Sequence, residues 1–326
     1  MRLLDCTLRD GANIAGLGFD KTDTKMMLEG MIRSGIDLIE FGNAHGMGMN
    51  EPGSPLSDEE YLELMQPYRG KAEFGMFLQS KAAGKAVADL ARKKGLSFLR
   101  IGNNAGDGEK SIEAIRMVKE SGLTCRYSLM KAYLLTPGEL AEEAAMLEEA
   151  GADEITIMDS AGTMLPEETA VYVEEMKKAV TVPIGFHGHN NLGLAVSNSC
   201  TAYEHGASVL DTGLMGMARS AGNCPTEVLG AVLMRRGINS SLDLYTLLEF
   251  IDRELSPAMK KFGFYNPIPS VDLIYGLTGC HSNYGGMFAE IAAEKGVSLF
   301  QLITKVCEID RKAPTIELIN RVAGML

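Results

Sequence analysis

The stretch Val182–Gly213, VPIGFHGHNNLGLAVSNSCTAYEHGASVLDTG, decides how the chain reads. Val182–His187 is a short apolar strand, Leu192–His205 has helical periodicity, Gly206 stops the helix, and Ser208–Gly213 is a second apolar strand. Short buried strands joined by an amphipathic helix lie parallel. Working outward, the same unit recurs. Leu3–Leu8, Ile36–Gly42, Ala72–Leu78, Ser97–Gly102, Leu123–Leu129 and Asp153–Met158 read as the six strands before it. The helices between them include one near residues 20–34, capped by Asp20 or Thr22 and ended by Gly35. Others begin near Ser57, span Lys110–Ser121, open at Thr136-Pro137 and close at Gly151, and span Pro166–Val180. Eight such units predict an α/β protein with a (β/α)8 TIM barrel. An open doubly wound sheet is the alternative, but it rarely reaches eight regular units, and no GxGxxG follows the first strand.

Glu227–Arg236 and Leu242–Leu255 read as helices beyond the eighth strand, and Asn266-Pro267-Ile268-Pro269 then breaks the periodicity. The expected organisation is a catalytic barrel over residues 1–262 and a small C-terminal helical domain over residues 263–326. Phe288–Lys295 and Ser298–Ile309 are the clear amphipathic helices of the second part.

Composition bounds the partners. The 326 residues are 46% hydrophobic, enough for a large core, and 31 basic against 43 acidic residues give a net charge of −12. That balance argues against nucleic acid, and no Lys/Arg run suggests an anionic membrane surface. No apolar run approaches the roughly 18 residues of a membrane helix, and the first residues lack a signal-peptide pattern. The six cysteines show no CxxC spacing, so buried, reduced thiols and a cytoplasmic location are expected.

Active sites of such barrels lie at the C-terminal ends of the strands. Arg9 and Asp10, Glu40, Asn103, Lys131, Asp159 and Ser160, His187 and His189, and Asp211 all fall there. Alternate strand residues share a face, so His187 and His189 point the same way, and Gly188 between them is expected to leave room for a ligand. A bare His-x-His is more often two polar strand-end residues bonded to neighbours. Asp10 changes that reading, because two imidazoles and a carboxylate form an N/O set without thiolate. Such a set suits Mn²⁺, with Mg²⁺, Co²⁺ or Fe²⁺ as alternatives. A 2-oxo acid could chelate the ion, which would act as Lewis acid toward an enolate. Arg9 is placed to stabilise the enolate oxygen; its bland alternative is a structural pair with Glu40 or Asp159.

Four motifs make the chain recognisable: Thr7–Gly11 (TLRDG), Met158–Gly162 (MDSAG), Gly185–Asn191 (GFHGHNN) and Gly216–Glu227 (GMARSAGNCPTE). From about residue 3 to residue 295 the sequence resembles the 4-hydroxy-2-oxovalerate aldolases, among the pyruvate-carboxyltransferase-like (DRE-TIM metallolyase) barrels. The resemblance implies a metal-dependent aldolase that converts a 4-hydroxy-2-oxo acid to or from pyruvate and an aldehyde. It implies Asp10, His187 and His189 as metal ligands, Asn223 as a residue that contacts or completes the metal shell, Arg9 at the enolate and Ser160 at the substrate carboxylate. Arg9-Asp10-Gly11 and the Ala218–Asn223 loop favour the aldolase branch over the acyl-CoA synthases, and the cysteine-bearing loop of the hydroxymethylglutaryl-CoA lyases is absent. A Claisen-type synthase or acyl-CoA lyase on the same barrel, or a non-catalytic metabolite-binding barrel, are the rival readings.

Two positions depart from the family. Its histidine base is replaced by Asn13, whose amide cannot take a proton near neutral pH. Its C-terminal tyrosine falls at His281, with Tyr284 close by. The expectation is that the acid–base role has moved to His281, with Asn13 and Tyr284 at the substrate, and that the 4-substituent differs from methyl. Family members pair with an acylating aldehyde dehydrogenase; the altered C-terminal residues argue against that pairing here. A homodimer is compatible with the sequence but not indicated by it.

Overall fold

Local signals in the sequence start and stop the elements of the computed structural model, which describes residues 1–49 and 52–326. Asn50 and Glu51, inside the loop expected over residues 43–56, lie outside the described residues. Asp20 accepts the Asp23 N–H at 2.9 Å and begins α1 (Lys21–Arg33). Ser57 and Glu60 form a capping box ahead of α2 (Asp58–Met65). Thr136 and Glu139 do the same for α5 (Pro137–Ala150), whose first residue is the proline. Each box satisfies backbone donors that a helix start leaves free. The remaining barrel helices are α3 (Lys85–Lys94), α4 (Ile112–Glu120), α6 (Pro166–Ala179), α7 (Ala195–His205) and α8 (Thr226–Arg235).

The strands β1 (Arg2–Asp5), β2 (Leu38–Glu40), β3 (Glu73–Gln79), β4 (Phe98–Asn104), β5 (Thr124–Met130), β6 (Glu154–Asp159), β7 (Ile184–Gly188) and β8 (Val209–Thr212) close into one barrel. All neighbours are parallel, and β1 pairs β8 from Arg2 opposite Val209 to Asp5 opposite Thr212. The expected (β/α)8 TIM barrel is therefore the fold. β1 and β2 are shorter than the sequence pattern suggests. The chain leaves β1 at once because the Asp5 carboxylate accepts the Thr7 N–H at 2.9 Å. The Cys6 carbonyl then gathers the N–H groups of Arg9, Asp10 and Gly11 at 3.1, 2.8 and 3.2 Å. This turn carries Arg9 and Asp10 over the barrel mouth instead of along a strand.

Two apolar regions surround the strands. Leu99, Ile101, Tyr127, Ile155, Ile157 and Phe186 pack outward against Met27, Leu140 and Val173 of the helices. Inside the barrel Leu4, Cys6, Leu38, Phe98 and Val209 make only a small apolar cluster. Gly75 must lack a side chain there, since a Cβ would lie 2.2 Å from the Phe98 ring. The rest of the interior is charged: Arg100 is fully buried, with Nη2 2.6 Å from Asp211 and Nη1 3.4 Å from Glu40. Arg126 pairs with Glu154 and lies 4.8 Å over Phe98.

Beyond the barrel come α9 (Leu244–Phe250), α10 (Ser256–Met259), α11 (Ser270–Thr278), α12 (Gly285–Lys295), α13 (Leu299–Ile309) and α14 (Ile316–Ala323). Leu273, Ile274, Phe288, Phe300, Ile303, Val306 and Ile319 share a second core with Ala231, Leu244 and Leu248 of α8 and α9. The C-terminal helices thus extend the outer helical layer rather than capping the mouth. All six cysteines are buried and unpaired. Among the described residues no helix is long and apolar enough to cross a membrane.

Two buried carboxyls brace the segment that joins β8 to α8. Asp5 accepts the Thr226 hydroxyl at 2.8 Å, and Glu227 accepts the Met215 N–H at 3.0 Å, its other oxygen meeting no donor. Burial pushes Glu227 up to about 7 from an ordinary 4.5, and Asp5 up to about 6 from 3.8. An unfolded chain loses these protons at the ordinary values, while the folded chain keeps them until about 6 to 7. Stability therefore falls as pH rises through that window and levels off above it. Glu227→Gln keeps an acceptor for Met215 and has no proton to lose. It should match the wild type near pH 4 and exceed its stability at pH 8 by roughly 1–3 kcal/mol. Urea unfolding at the two pH values measures this, and an identical difference at both removes the assignment.

Candidate metal and substrate site

β7 delivers the two histidines. His187 is the next-to-last residue of the strand and His189 follows its end at Gly188, held by the His189 N–H to Asp159 carbonyl bond at 3.2 Å. Both are buried, and their rings stand 5.1 Å apart at 69°. The turn after β1 brings Asp10 to them: its Oδ2 is 3.7 Å from Nε2 of His187 and 3.7 Å from Nε2 of His189. One donor atom from each of the three residues lies within 4.8 Å of the others. Gly188 plays a different part from the one expected. A Cβ there would meet the Phe186 ring at 2.9 Å and lies 3.9 Å from the Ala195 backbone, so it serves packing on the outer face.

Partners behind the three residues fix their state. His187 Nδ1 is 2.9 Å from Asp211 Oδ2, and Arg100 holds that carboxylate. An imidazole that gives its Nδ1 proton to a carboxylate presents the Nε2 lone pair. Burial lowers His189 to about 4, with His187 the next cause, so its ring is neutral at pH 7. Burial works to raise the Asp10 pKa. Arg9, the two imidazoles and the Asn223 amide more than offset it and hold the group well below the ordinary carboxylate range. Asn223 donates to Asp10 Oδ2 at 2.8 Å, while its own buried Oδ1 has no hydrogen-bond partner.

The donor set fits a divalent cation. Both gaps between Asp10 and an imidazole nitrogen, at 3.7 Å, exceed hydrogen-bonding distance. Two imidazole nitrogens and a carboxylate, with the Asn223 oxygen beside them, make an N/O set. Cys6 does not join it: its thiol donates to the Thr212 carbonyl at 3.1 Å, and burial raises its pKa well above the ordinary value.

Arg9 pairs with Glu40, Nε to Oε1 at 2.5 Å, and with Asp10, Nη1 to Oδ1 at 3.0 Å, and it lies 4.8 Å over the Phe77 ring. The structural pair with Glu40 is thus present, yet the buried Nη2 still lacks a partner and Arg9 lines a cavity of about 530 Å³. Asp10, His187, His189, Ser160 and Lys131 line the same cavity. Ser160 Oγ accepts the Lys131 N–H at 2.9 Å, leaving its own proton free to donate.

Other expected residues stand elsewhere. Asn13 is beside the cluster but not on the cavity: its Nδ2 donates to the Asp10 carbonyl at 2.8 Å and its Oδ1 accepts from Arg219 at 2.9 Å. His281 and Tyr284 do not reach the cavity. His281 is exposed and its Nδ1 accepts the Asn283 N–H at 3.2 Å, while the Tyr284 hydroxyl donates to the Lys312 carbonyl at 3.0 Å. Both belong to the helical layer outside the barrel, which corrects the placement expected for them. Asp159 is structural, accepting the Thr163 and Met164 N–H groups at 3.0 Å each. Sequence reading missed His45, Gln79, Lys81 and Arg219, all on the cavity wall. His45 follows the end of β2, so the strand-end rule could have found it; the aperiodic Gly/Met loop hid it.

With this geometry in hand, the comparisons are informative. A family model described as HMGL-like matches residues 105–252. A protein of Geobacillus genomosp. 3 named 4-hydroxy-2-oxovalerate aldolase is 34% identical over 287 residues, 87% of this chain and 84% of that protein. One of the same name from Desulfitobacterium hafniense is 31% identical over 313 residues, 94% and 92% of the two chains. The solved hydroxymethylglutaryl-CoA lyase of Pseudomonas aeruginosa superposes with a TM-score of 0.70 over 84% of this chain and 97% of that one, at 17% identity. That last likeness concerns the fold.

The internal charge network makes the site testable. Arg100→Met preserves bulk but leaves the Glu40 and Asp211 carboxylates short of a partner. Losing one side of a buried ion pair costs about 3–5 kcal/mol, readable by urea unfolding. Asp211 also loses the anchor that orients His187, so calorimetric Mn²⁺ affinity should fall at least about tenfold. Unchanged cation affinity in a folded variant would detach Arg100 from the site.

Proposed function

The chain belongs to the 4-hydroxy-2-oxovalerate aldolase family, and from that premise we propose that its cavity cleaves or forms a 4-hydroxy-2-oxo acid, releasing or consuming pyruvate and an aldehyde. It is a carbon–carbon lyase. The observation that carries the reading is the convergence of Asp10, His187 and His189 beside an unpartnered guanidinium nitrogen of Arg9. A non-catalytic barrel has no use for that convergence.

Asp10, His187 and His189 would hold a divalent cation, with Asn223 beside it; Mn²⁺ is proposed, Mg²⁺ or Co²⁺ being the alternatives. When bound, the ion supplies Lewis acidity toward the 2-oxo acid. The rest falls to the chain's own side chains. Ser160, its oxygen already accepting from Lys131, donates its hydroxyl proton to the substrate carboxylate. Arg9 Nη2 donates to the 2-oxo oxygen as it gains charge. Glu40 and Asp10 fix the guanidinium before substrate arrives, so little reorganisation is needed. Cleavage removes the C4 hydroxyl proton, breaks C3–C4 and passes that electron pair into the enolate of pyruvate. C4 leaves as the carbonyl carbon of the aldehyde, and the enolate then takes a proton at C3 to give pyruvate.

The C4 proton needs an acceptor on the cavity wall. Asn13 is an amide, and His281 lies in the outer helical layer. The remaining imidazole on the wall is His45. Its backbone is fixed on both sides, the N–H donating to Asn43 Oδ1 at 2.8 Å and the carbonyl accepting from Gln79 at 3.0 Å. An imidazole takes and returns protons near neutrality, and His45 is assigned that role.

Loss of the pyruvate methyl signal in D₂O with Mn²⁺, halted by a chelator, is the expected result; no exchange and no cleavage of any 4-hydroxy-2-oxo acid overturns the reading. Arg9→Met should slow exchange and cleavage by about 10²–10³-fold. His45→Gln should slow cleavage by about 10²-fold or more while Mn²⁺ affinity holds. A rate within a few-fold of wild type removes His45 from the role.

A further inference from the structure

The walls of the cavity carry more positive charge than a keto acid and a neutral aldehyde require. The chain as a whole has a net charge of −12. Yet Lys81, Lys131 and Arg219 line the cavity together with Arg9, and among the described residues the one carboxylate on the wall is Asp10. Asp10 is already engaged by Arg9 and Asn223, so it does not neutralise the lysines. Neither Lys81 nor Lys131 has an ion-pair partner among the described residues. Pyruvate brings one carboxylate, for which Ser160 is at hand, and Arg9 faces its 2-oxo oxygen.

Position distinguishes the two lysines from chance surface charge. Lys131 stands at the end of β5 with φ 56° and ψ 44°, a left-handed backbone that a non-glycine residue adopts at a cost. Its N–H to Ser160 Oγ bond at 2.9 Å helps hold that conformation, so Lys131 is fixed next to the proposed carboxylate-binding serine. Lys81 follows β3 and stands where the first cavity meets a second, also about 530 Å³. The two share Gln79, Lys81, Asn104 and Met130. The second cavity leads outward across the ends of β3, β4 and β5. Its other charges, Asp107 and Lys110, satisfy each other at 2.6 Å. A substrate tail leaving the metal end along this groove therefore meets Lys81 and Lys131 as uncompensated cations.

Resting on the aldolase reading, we infer that the aldehyde carries an oxyanion, a carboxylate or a phosphate, held by Lys81 and Lys131. A methyl substituent would leave both ammonium groups facing an empty groove, whereas an anionic one gains charge-assisted hydrogen bonds at the end remote from the reacting carbon.

The test uses the Mn²⁺-loaded protein and condensation of pyruvate with three kinds of aldehyde. Acetaldehyde and propionaldehyde are neutral, glyoxylate and succinic semialdehyde carry a carboxylate, and glyceraldehyde 3-phosphate carries a phosphate. An anionic aldehyde should be preferred in kcat/KM by about 100-fold or more over the neutral ones, and the better of the two anionic arms names the group. Lys81→Met and Lys131→Met should each shrink that anion-to-neutral ratio about tenfold, mainly through KM. Equal or better use of neutral aldehydes, or a ratio unmoved in both variants, overturns the inference. Pyruvate methyl exchange in D₂O needs no aldehyde and separates the two failures. Exchange without anion preference sinks only the inference; no exchange sinks it together with the aldolase reading.

Discussion

Asp211 lies between a guanidinium and an imidazole, and the order of the barrel mouth depends on that placement. Arg100 holds one of its oxygens at 2.6 Å and the same oxygen faces His187 Nδ1 at 2.9 Å. Arg100 also reaches Glu40, Glu40 grips Arg9, and Arg9 grips Asp10. One continuous chain of alternating charge thus runs from β8 through β4 and β2 to the turn after β1. Buried ions are costly to desolvate and are retained where they fix geometry. Here they fix two things at once, the lone pair of the His187 imidazole and the direction of the Arg9 guanidinium.

The same economy explains why the mouth departs from ordinary folding rules. Met215 and Lys131 take left-handed backbones without being glycine. Burial keeps Glu227 protonated toward neutral pH while its Oε2 accepts the Met215 N–H, and the Thr7 hydroxyl accepts the Leu214 N–H at 2.7 Å. These bonds shape the loop that carries Asn223 against His189. Backbone strain gathers at one end of the barrel, while the helices follow plain periodicity.

That contrast is also what separates the legible from the illegible in the sequence. Helix caps at Asp20, Ser57 and Thr136, and apolar runs of strand length, are local signals, so the eight units could be read directly. The histidine pair could be read because alternation puts both on one face. Asp10 could be named only by the strand-end rule, since the turn that delivers it is made by the Cys6 carbonyl and the Asp5 side chain. His281 and Tyr284 went astray because aligned position says nothing of which side of α8 the later helices occupy; the apolar contacts with Ala231, Leu244 and Leu248 decide that. His45 lay in a glycine- and methionine-rich loop with no period to read. Gly188 was assigned to the wrong face, because alternation that turns both histidines inward turns their neighbour outward, toward Phe186.

The division of labour around the rim follows the strand order. Asp211, His187, His189, Asn223, Asp10, Arg9 and Glu40 come from one continuous arc, β7 through β8 and β1 to β2, and the ion-pair chain cross-links that arc through Arg100 on β4. Gln79, Lys81, Asn104, Met130, Lys131 and Ser160 come from the other arc, β3 through β6. The first arc has its charges compensated internally and cannot change one member without stranding another. The second arc has few internal ties, so its side chains can vary without disturbing the ligand set. In a closed barrel each strand end is fixed by its two neighbours whatever the loop beyond it carries. In the proposed reaction the chemistry would sit on the rigid, mutually neutralised arc, and the choice of acceptor would fall to the arc whose charges remain open.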